Sequence, residues 1–407
     1  MSPRQERSNM TGRTRARIAL GIVSAAALVL AASAAARVHA ASPIVIGWAH
    51  DSTGPMAPFD GPALAAAQIR VKQINAKGGV LGHPLQIQTC DTQGDKPTVS
   101  KACADKLIAA GAQILFTTCD VDLAAPAVQE GINKGLLTVA PCIGTDQMGP
   151  KRFGAKGKLA FSFGNVAQDE GSAMAQFAWS KGWKTADLAT DSVIVYFKNV
   201  VQAFKARFTE LGGKIVDEET YQDPVFHGNN VQNAVSRINQ HQADVVVTST
   251  AGAWNALAPL INGLRTLGNQ TPVLNSWAGD GTYWLPKSPA ITNYYFVTYA
   301  NAFGQDPSAA INTLAKQVKA GTGGFITGPA AIDGVVTAIK EAKGSTDGAT
   351  LAALMEKFHN VPTISGNVSF SPKLHSVFGR AYRIVEINNN TPKELGTITA
   401  KVVPTIR

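Results

Sequence analysis

The sequence has few cysteines and few charged residues, and it lacks the short motifs that mark most enzymes. Only four of its 407 residues are cysteine, and charged residues make up 16% of the chain. It contains no G-x-S-x-G turn, no H-E-x-x-H pair, no P-loop and no dinucleotide fingerprint. The seven histidines are scattered and never have metal-ligand spacing. We therefore expect a protein that is not an enzyme and that carries no cofactor and no metal.

Long apolar runs are confined to the N-terminus. The run Ile18–Ala36 follows five arginines and precedes Val38–Ala40, which has small residues where a signal peptidase reads. This arrangement is typical of a secretory signal, so we expect residues 1–40 to be cleaved and the protein to be periplasmic. An uncleaved membrane anchor is the alternative, because nineteen apolar residues can span a bilayer. With no second such run, the exported product is expected to be soluble.

The basic excess of the chain is small once the signal is set aside. The whole chain has 37 basic and 28 acidic residues, of which six and one lie in residues 1–40. The remainder therefore carries 31 and 27, a net charge of about +4. An exported protein of this charge is not expected to bind nucleic acid.

The four cysteines all lie in the first third of the chain. They allow three pairings, and the sequence alone does not choose among them. Export permits disulfides. We expect Cys90–Cys103 and Cys119–Cys142, because each closes a short loop and contributes about 3 kcal/mol in the chain-entropy model. Buried free thiols are the alternative, and zinc is disfavoured because no C-x-x-C or H-x-x-x-H spacing accompanies the cysteines.

A glycine-rich stretch, "INAKGGVLGHP", runs from Ile74 to Pro84. Glycine-rich loops can cradle phosphates, but a cradle needs a strand, then the glycines, then a helix N-terminus. Here a helical pattern comes first and a strand pattern follows. The stretch is therefore predicted to be a turn, with Gly78 at the left-handed end of the helix.

Strand and helix patterns alternate along the chain. A buried strand at Ile44–His50 precedes a helical pattern that starts near Pro62, and further strands are predicted at Ala112–Thr118 and at Phe161–Asn165. Two successive sets of such units predict an α/β fold with parallel sheets, helices on both faces and two lobes. The 367 residues after the signal also exceed what one core usually serves. From Tyr294 onward the patterns are mixed, which suggests that the chain crosses back between the lobes.

Aromatic and small polar residues cluster directly after predicted strands. In open parallel sheets, ligands bind beyond the carboxyl ends of the strands. For any single residue the alternative is an ordinary loop position, so the joint placement carries the prediction of a cleft. The residues are Phe59, Asp120, Asp122, Thr145, Tyr196, Trp254, Trp277 and Asp280.

Several long segments resemble the type I periplasmic solute-binding proteins of ABC transporters, and within them the branched-chain amino acid binding branch. They are "IGWAHDSTGPMAPFDGPALAAAQIRVKQINAKGGVLGHPLQIQTCDTQGD", "VAPCIGTD" and "SPKLHSVFGRAYRIVEINN". The resemblance covers nearly all of residues 43–400. It implies two Rossmann-like lobes joined by a three-segment hinge, with 43–163 plus 295–370 in the N-terminal lobe and 164–294 plus 371–407 in the C-terminal lobe.

The resemblance also implies a set of ligand-binding residues, each at a position where relatives contact the solute. They are Phe59, Asp120, Val121, Gly144, Thr145, Tyr196, Thr250, Ala251, Trp277 and Asp280. Relatives have a serine for the ligand carboxylate where this chain has Asp120, and an inward-pointing Asp would repel a carboxylate. Gly328 stands where relatives often have a tyrosine. Trp277 or Asp280 lies where an acidic residue grips the ammonium group.

The function implied is the extracytoplasmic substrate-binding component of an ABC importer. Its partners would be a small polar solute and a membrane permease, and the protein would act as a monomer. The solute stays open among a branched-chain amino acid, another amino acid, an aromatic acid and an amide. The alternative is a periplasmic ligand-sensing module for a membrane receptor or kinase.

Overall fold

Two mainly parallel sheets, each covered by helices, organise the chain in the computed structural model, which describes residues 41–226, 228 and 231–406. The expected signal peptide, residues 1–40, lies outside the described residues. The strands, in chain order, are β1 Ile44–His50, β2 Leu85–Asp91, β3 Ile114–Phe116, β4 Leu137–Ala140, β5 Ala160–Asn165, β6 Thr185–Asp191, β7 Lys214–Tyr221, β8 Val245–Ser249, β9 Val273–Asn275, β10 Tyr294–Thr298, β11 Val361–Thr363, β12 Gly366–Val368, β13 Ser376–Val377, β14 Tyr382–Asn388 and β15 Thr391–Ile398.

The helices lie between the strands, as the alternating pattern predicts. In chain order they are α1 Ala57–Asn75, α2 Pro97–Ala109, α3 Val121–Asn133, α4 Pro150–Phe153, α5 Ala167–Ser180, α6 Val195–Glu210, α7 Val231–Ile238, α8 Leu257–Thr266, α9 Ala309–Val318, α10 Thr327–Glu341 and α11 Gly348–Met355. None of these described helices combines the length and the apolar character needed to cross a bilayer.

The first lobe is built on a six-stranded sheet in the order β13-β5-β4-β3-β1-β2, with every pair parallel. Its central strands β3 and β4 are buried along their whole length. Helices on both faces of a parallel sheet exclude water, so such strands are continuous apolar runs rather than alternating ones. Helices α1 and α10 cross at Gly328, where a Cβ would lie 2.0 Å from the carbonyl oxygen of Ala63.

The second lobe is built on a seven-stranded sheet in the order β15-β14-β10-β9-β8-β6-β7. The five strands β10, β9, β8, β6 and β7 pair in parallel. Strands β14 and β15 are added at one edge and pair antiparallel. Along the edge strand β15, exposed and half-buried residues alternate, and Lys393 and Glu394 lie on it. Charges on an outer strand discourage pairing with another chain.

The chain passes between the two sheets three times: after β5, after β10, and between β13 and β14. Arg380 is buried in the third passage, and its Nε donates to Asn165 Oδ1 at 2.7 Å. Because Asn165 ends β5, this bond connects the third passage to the first. Strand β10 belongs to the second sheet and β13 to the first. The α/β fold with two lobes is as predicted, while the expected lobe bounds (43–163 with 295–370, and 164–294 with 371–407) remain a prediction.

Both disulfides have the expected pairing. Cys90–Cys103 joins β2 to α2, and Cys119–Cys142 joins the loops that follow β3 and β4. Among the described residues there is no free cysteine. The second bridge therefore ties together two loops at the carboxyl edge of the first sheet.

The glycine-rich stretch is a turn between α1 and β2, as predicted. Gly78, Gly79 and Gly82 all have positive φ, between 76° and 94°, which glycine adopts without strain. The predicted start of α1 near Pro62 is wrong, because the helix begins at Ala57. Pro58 occupies the first turn, where its missing N–H removes no helical hydrogen bond.

Candidate ligand-binding site

A small cavity lies between the two lobes at the carboxyl ends of the parallel strands. It encloses about 20 Å³, which is room for about one water molecule. Residues of the first lobe come from the segments after β1 and β3, and those of the second lobe from the segments after β6, β8 and β9. The lining residues are Met56, Phe59, Cys119, Asp120, Ile194, Tyr196, Phe197, Ala251, Trp254, Trp277 and Ala278.

The first-lobe wall is held by buried carboxylates. Asp60 Oδ1 accepts the backbone N–H of Cys119 at 2.9 Å, and its Oδ2 accepts that of Asp51 at 2.8 Å. Asp120 caps helix α3, because its Oδ1 accepts the N–H groups of Asp122 and Leu123 at 2.9 and 3.1 Å. Burial, and secondarily the neighbouring Asp122, raise the pKa of Asp120 to about 7. Asp120 therefore faces the cavity as a carboxyl group that already serves the helix.

Glu170, from helix α5, connects two aromatic residues of the second-lobe wall. Its Oε2 accepts the hydroxyl of Tyr196 at 2.8 Å, and its Oε1 accepts the backbone N–H of Trp277 at 2.7 Å. Burial raises the pKa of Glu170 to about 8. The hydroxyl of Tyr196 therefore already has a partner within the chain.

Aromatic rings from both lobes meet around the cavity. Phe59 of the first lobe packs edge-on against Trp277 of the second, with ring centroids 5.2 Å apart. Trp254 contacts Phe197 at 5.4 Å and Phe226 at 4.8 Å. Edge-to-face pairs of this kind are favourable beyond the area that they bury.

Hydrogen bonds also cross between the lobes around the cavity. The Trp254 indole Nε1 donates to the carbonyl oxygen of Pro55 at 2.9 Å. The backbone N–H of Val195, at the start of α6, donates to Asp122 Oδ2 at 2.8 Å. Asp122 Oδ1 also pairs with Arg152 Nη1 at 2.6 Å. The lobes are therefore in contact, and the cavity is closed over.

Half of the ten residues expected at the site line the cavity. They are Phe59, Asp120, Tyr196, Ala251 and Trp277.

The other expected residues lie just behind the cavity wall. Val121 begins α3 and is buried. Thr145 donates from Oγ1 to Asn199 Oδ1 across the lobes at 3.2 Å, and Thr250 donates from Oγ1 to Asp191 Oδ2 at 2.8 Å. These hydroxyls already have partners within the chain.

Gly144 and Asp280 also stand behind the wall. A Cβ at Gly144 would lie 2.6 Å from the Tyr196 ring, so the glycine lets that ring approach. Asp280 is fully buried, and its Oδ2 accepts the hydroxyl of Thr298 and the N–H of Gly323, both at 2.6 Å. Burial raises the pKa of Asp280 to about 7.

Sequence reasoning did not assign Met56, Ile194, Phe197 or Glu170 to the site, whereas Trp254 was expected in the cleft and lines the cavity. Trp254 follows β8 and was recognisable from its position after a strand. Glu170 lies within a helix, where nothing in the local sequence distinguishes it from a solvated acid. Its importance depends on two residues, Tyr196 and Trp277, that are distant in sequence.

Comparisons with known proteins agree with this geometry. The family model described as periplasmic binding protein matches residues 43–392. The Leu/Ile/Val-binding protein BraC3 of Rhizobium johnstonii is 24% identical over 349 residues, which cover 84% of this chain and 91% of that protein. Its name places it among binding proteins for branched-chain amino acids.

Two solved structures share the fold. The branched-chain amino acid transporter substrate binding protein LivJ of Streptococcus pneumoniae, in complex with isoleucine, has a TM-score of 0.74 at 18% identity and covers 89% of this chain and 100% of its own. A solute binding protein of an ABC transporter from Rhodopseudomonas palustris, in complex with 3,4-dihydroxybenzoic acid, has a TM-score of 0.70 at 18% identity, with 89% and 99% covered. The chain therefore belongs to the periplasmic binding protein family and has the type I fold of the branched-chain amino acid binding proteins.

Proposed function

We propose that this protein is the extracytoplasmic substrate-binding component of an ABC importer. It binds a small polar organic solute between its lobes and delivers it to a membrane permease. The observation that carries the proposal is the cavity itself, which collects residues of both lobes at the carboxyl ends of parallel strands. Similar proteins named for branched-chain amino acids or bound to an aromatic acid support testing amino acids and aromatic acids, and amides are included because the sequence leaves them open.

Binding is proposed to couple to hinge motion at the three passages between the sheets. A cavity of about 20 Å³ is far smaller than an amino acid, so the lobes must separate to admit a solute. Opening would break the contacts of Trp254 with Pro55 and of Asp122 with Val195. A solute that contacts both lobes would then favour closure, because it binds the closed state better than the open one.

The roles of individual residues are part of the proposal. Phe59, Asp120, Tyr196, Ala251 and Trp277 would contact the solute. Gly144, Thr145, Thr250, Val121 and Asp280 would position the loops that carry those contacts. Residues 1–40 would direct export to the periplasm, where the protein would act as a monomer with its permease.

The test is thermal unfolding with a panel of amino acids, aromatic acids, amides and amines. A solute at 100 times its dissociation constant should stabilise the protein by about 2.7 kcal/mol. Recovery of the bound solute, identified by mass spectrometry as chemically unchanged, would support binding without turnover. Absence of a stabilising solute across the panel, or recovery of a transformed one, would count against the proposal.

A further inference from the structure

The end of the cavity formed by helix α3 already contains an anion. The N-terminus of an α-helix carries exposed N–H groups and partial positive charge, and it commonly receives the carboxylate of a ligand. Here Asp120 Oδ1 accepts the N–H groups of Asp122 and Leu123. The helix is thus capped by the protein's own carboxylate, so a solute carboxylate placed here would find those donors occupied and a like charge beside it.

The arginine beside this helix end, Arg152, already forms an ion pair within the chain. Arg152 Nη1 lies 2.6 Å from Asp122 Oδ1, and Asp122 in turn accepts the N–H of Val195 from the other lobe. Among the described lining residues there is no lysine, arginine or histidine, and Asp120 is the only carboxyl group. Above the raised pKa of Asp120, about 7, the wall therefore offers a negative group without a positive one.

The rest of the wall consists mainly of aromatic rings. Phe59, Tyr196, Phe197, Trp254 and Trp277 contribute rings from both lobes. The polar atoms of two of them donate elsewhere, Tyr196 to Glu170 and Trp254 to Pro55. The indole N–H of Trp277 is buried without a hydrogen-bond partner among the described residues. Ring faces are partially negative and attract cations, most strongly when water is excluded.

We propose that this cavity selects solutes that present a positively charged nitrogen to Asp120 and an apolar or aromatic body to the rings. An organic amine or ammonium compound is the class that fits, and Asp120 is the specificity-determining residue. The inference rests on the proposed binding function and narrows its solute class. The inference also distinguishes this protein from one that binds the carboxylate of its solute at this helix N-terminus. Here the carboxylate of Asp120 occupies that position.

The test uses two apolar groups, each with three head groups, titrated into the purified chain at pH 8, where Asp120 is mostly charged, and followed by tryptophan fluorescence. The compounds are benzylamine, benzyl alcohol and benzoate, and 3-methylbutylamine, 3-methylbutanol and 3-methylbutanoate. Trp254 and Trp277 line the cavity and report binding directly. Within each series, benzyl or 3-methylbutyl, the amine should bind at least about tenfold more tightly than the carboxylate. A buried charge attracts a ligand of opposite charge and repels one of the same charge strongly.

Asp120→Asn removes the charge and keeps the helix cap, since asparagine caps helices as well as aspartate does. This variant should lose at least about tenfold in affinity for the amines and change less than about threefold for the alcohols. Asp120→Ser, which can also cap, provides a second neutral variant if the first does not fold as judged by circular dichroism. Asp347→Asn is the matched control, because Asp347 caps α11 from an exposed position.

The outcomes separate this inference from the function on which it rests. Tightest binding of the carboxylates by the wild-type chain would overturn the inference and leave the proposed function standing. Equal loss of amine and alcohol binding in Asp120→Asn would also overturn it, because the residue would then act on cavity shape. If neither these six compounds nor the wider panel of amino acids, acids and amides bound, both proposals would be rejected together.

Discussion

Glu170 shows how one buried side chain can organise a binding wall that it does not itself line. Its two carboxylate oxygens accept from Tyr196 and from the backbone of Trp277, so two rings that reach the cavity share one support. Both donors favour the charged form of the carboxyl, but burial outweighs them and raises its pKa to about 8. Glu170 therefore gains a proton near neutral pH in the folded protein and not in the unfolded chain.

This difference predicts a pH-dependent stability. A carboxyl whose folded pKa is raised stabilises the native state at low pH, and that stability is lost as the pH rises through the folded value. Between about pH 6.5 and pH 8.5 the free energy of unfolding should fall, with roughly 2 kcal/mol of the loss from Glu170. Buried Asp169 and Asp280, with pKa values raised to about 7, act in the same direction. Urea unfolding at both pH values measures it.

Glu170→Gln isolates the contribution of this residue. The variant should make the fall in stability between the two pH values shallower by about the amount assigned to Glu170. Glu386→Gln is the matched control, because Glu386 also accepts a tyrosine hydroxyl, from Tyr295 at 2.7 Å, but is only partly buried on β14. A wild-type protein whose stability rises over this range would contradict the argument.

Individual site residues could be predicted from sequence where a position directly after a strand was sufficient to place the side chain at the cavity. Phe59, Tyr196 and Trp277 follow strands and reach the cavity. Asp280 also follows a strand, but its carboxylate turns to Thr298 and Gly323, and no local pattern reveals which way a loop side chain points. Gly328 was compared with a tyrosine of relatives, yet it lies at a helix crossing against the backbone of Ala63, where no side chain fits.

Secondary-structure elements agree closely with the sequence prediction where an apolar run lies between turn residues. β1 has the predicted bounds, because its apolar run ends abruptly at the polar loop that begins at Asp51. The hairpin of β11 and β12 and the two-residue β13 were not predicted. Strands of two or three residues are too short to show a period, and tertiary pairing rather than local pattern forms them.

The two disulfides should differ in what their loss does. Cys119 lines the cavity and its backbone is held by Asp60, whereas Cys90–Cys103 joins β2 to α2 away from the cavity wall. Replacing either pair with serine should destabilise the protein by about 3 kcal/mol. Only the Cys119 and Cys142 replacement should also weaken solute binding, by roughly fivefold or more, because it frees a loop of the wall.

The measurements are the urea midpoint and the solute dissociation constant for each double variant. The Cys90 and Cys103 variant is the control for lost stability without lost binding geometry. Equal losses of affinity in the two variants would mean that the Cys119–Cys142 bridge does not hold the cavity wall. Intact wild-type protein, denatured without reductant, should show no free thiol.

At the scale of the whole molecule, the lobes approach each other closely at Gly144, where the absence of a side chain leaves room for the ring of Tyr196. Tyr196 of the second lobe lies directly over Gly144 of the first, and Asp122 of the first lobe accepts the first N–H of α6 in the second. These contacts are made only with the lobes together. Changing them should shift the balance between open and closed forms without unfolding either lobe.

Gly144→Ala tests this balance. The added Cβ would lie 2.6 Å from Cε2 of Tyr196, whose ring is buried and whose hydroxyl is bound to Glu170, so the ring cannot easily move aside. Gly144 is not one of the glycines with a positive φ, so the backbone there accepts an alanine without strain in the open form. The clash therefore acts mainly on closure, and we expect a larger radius of gyration by small-angle scattering and about tenfold weaker solute binding.

Gly61→Ala is the matched control, because Gly61 lies in helix α1 with no atom within 4 Å of an added Cβ. It should leave the scattering profile and the affinity unchanged and should stabilise the helix by up to about 1 kcal/mol. If Gly144→Ala kept both the compact scattering profile and the wild-type affinity, the Tyr196 ring would have to move freely. The tight approach of the two lobes at this glycine would then not govern closure.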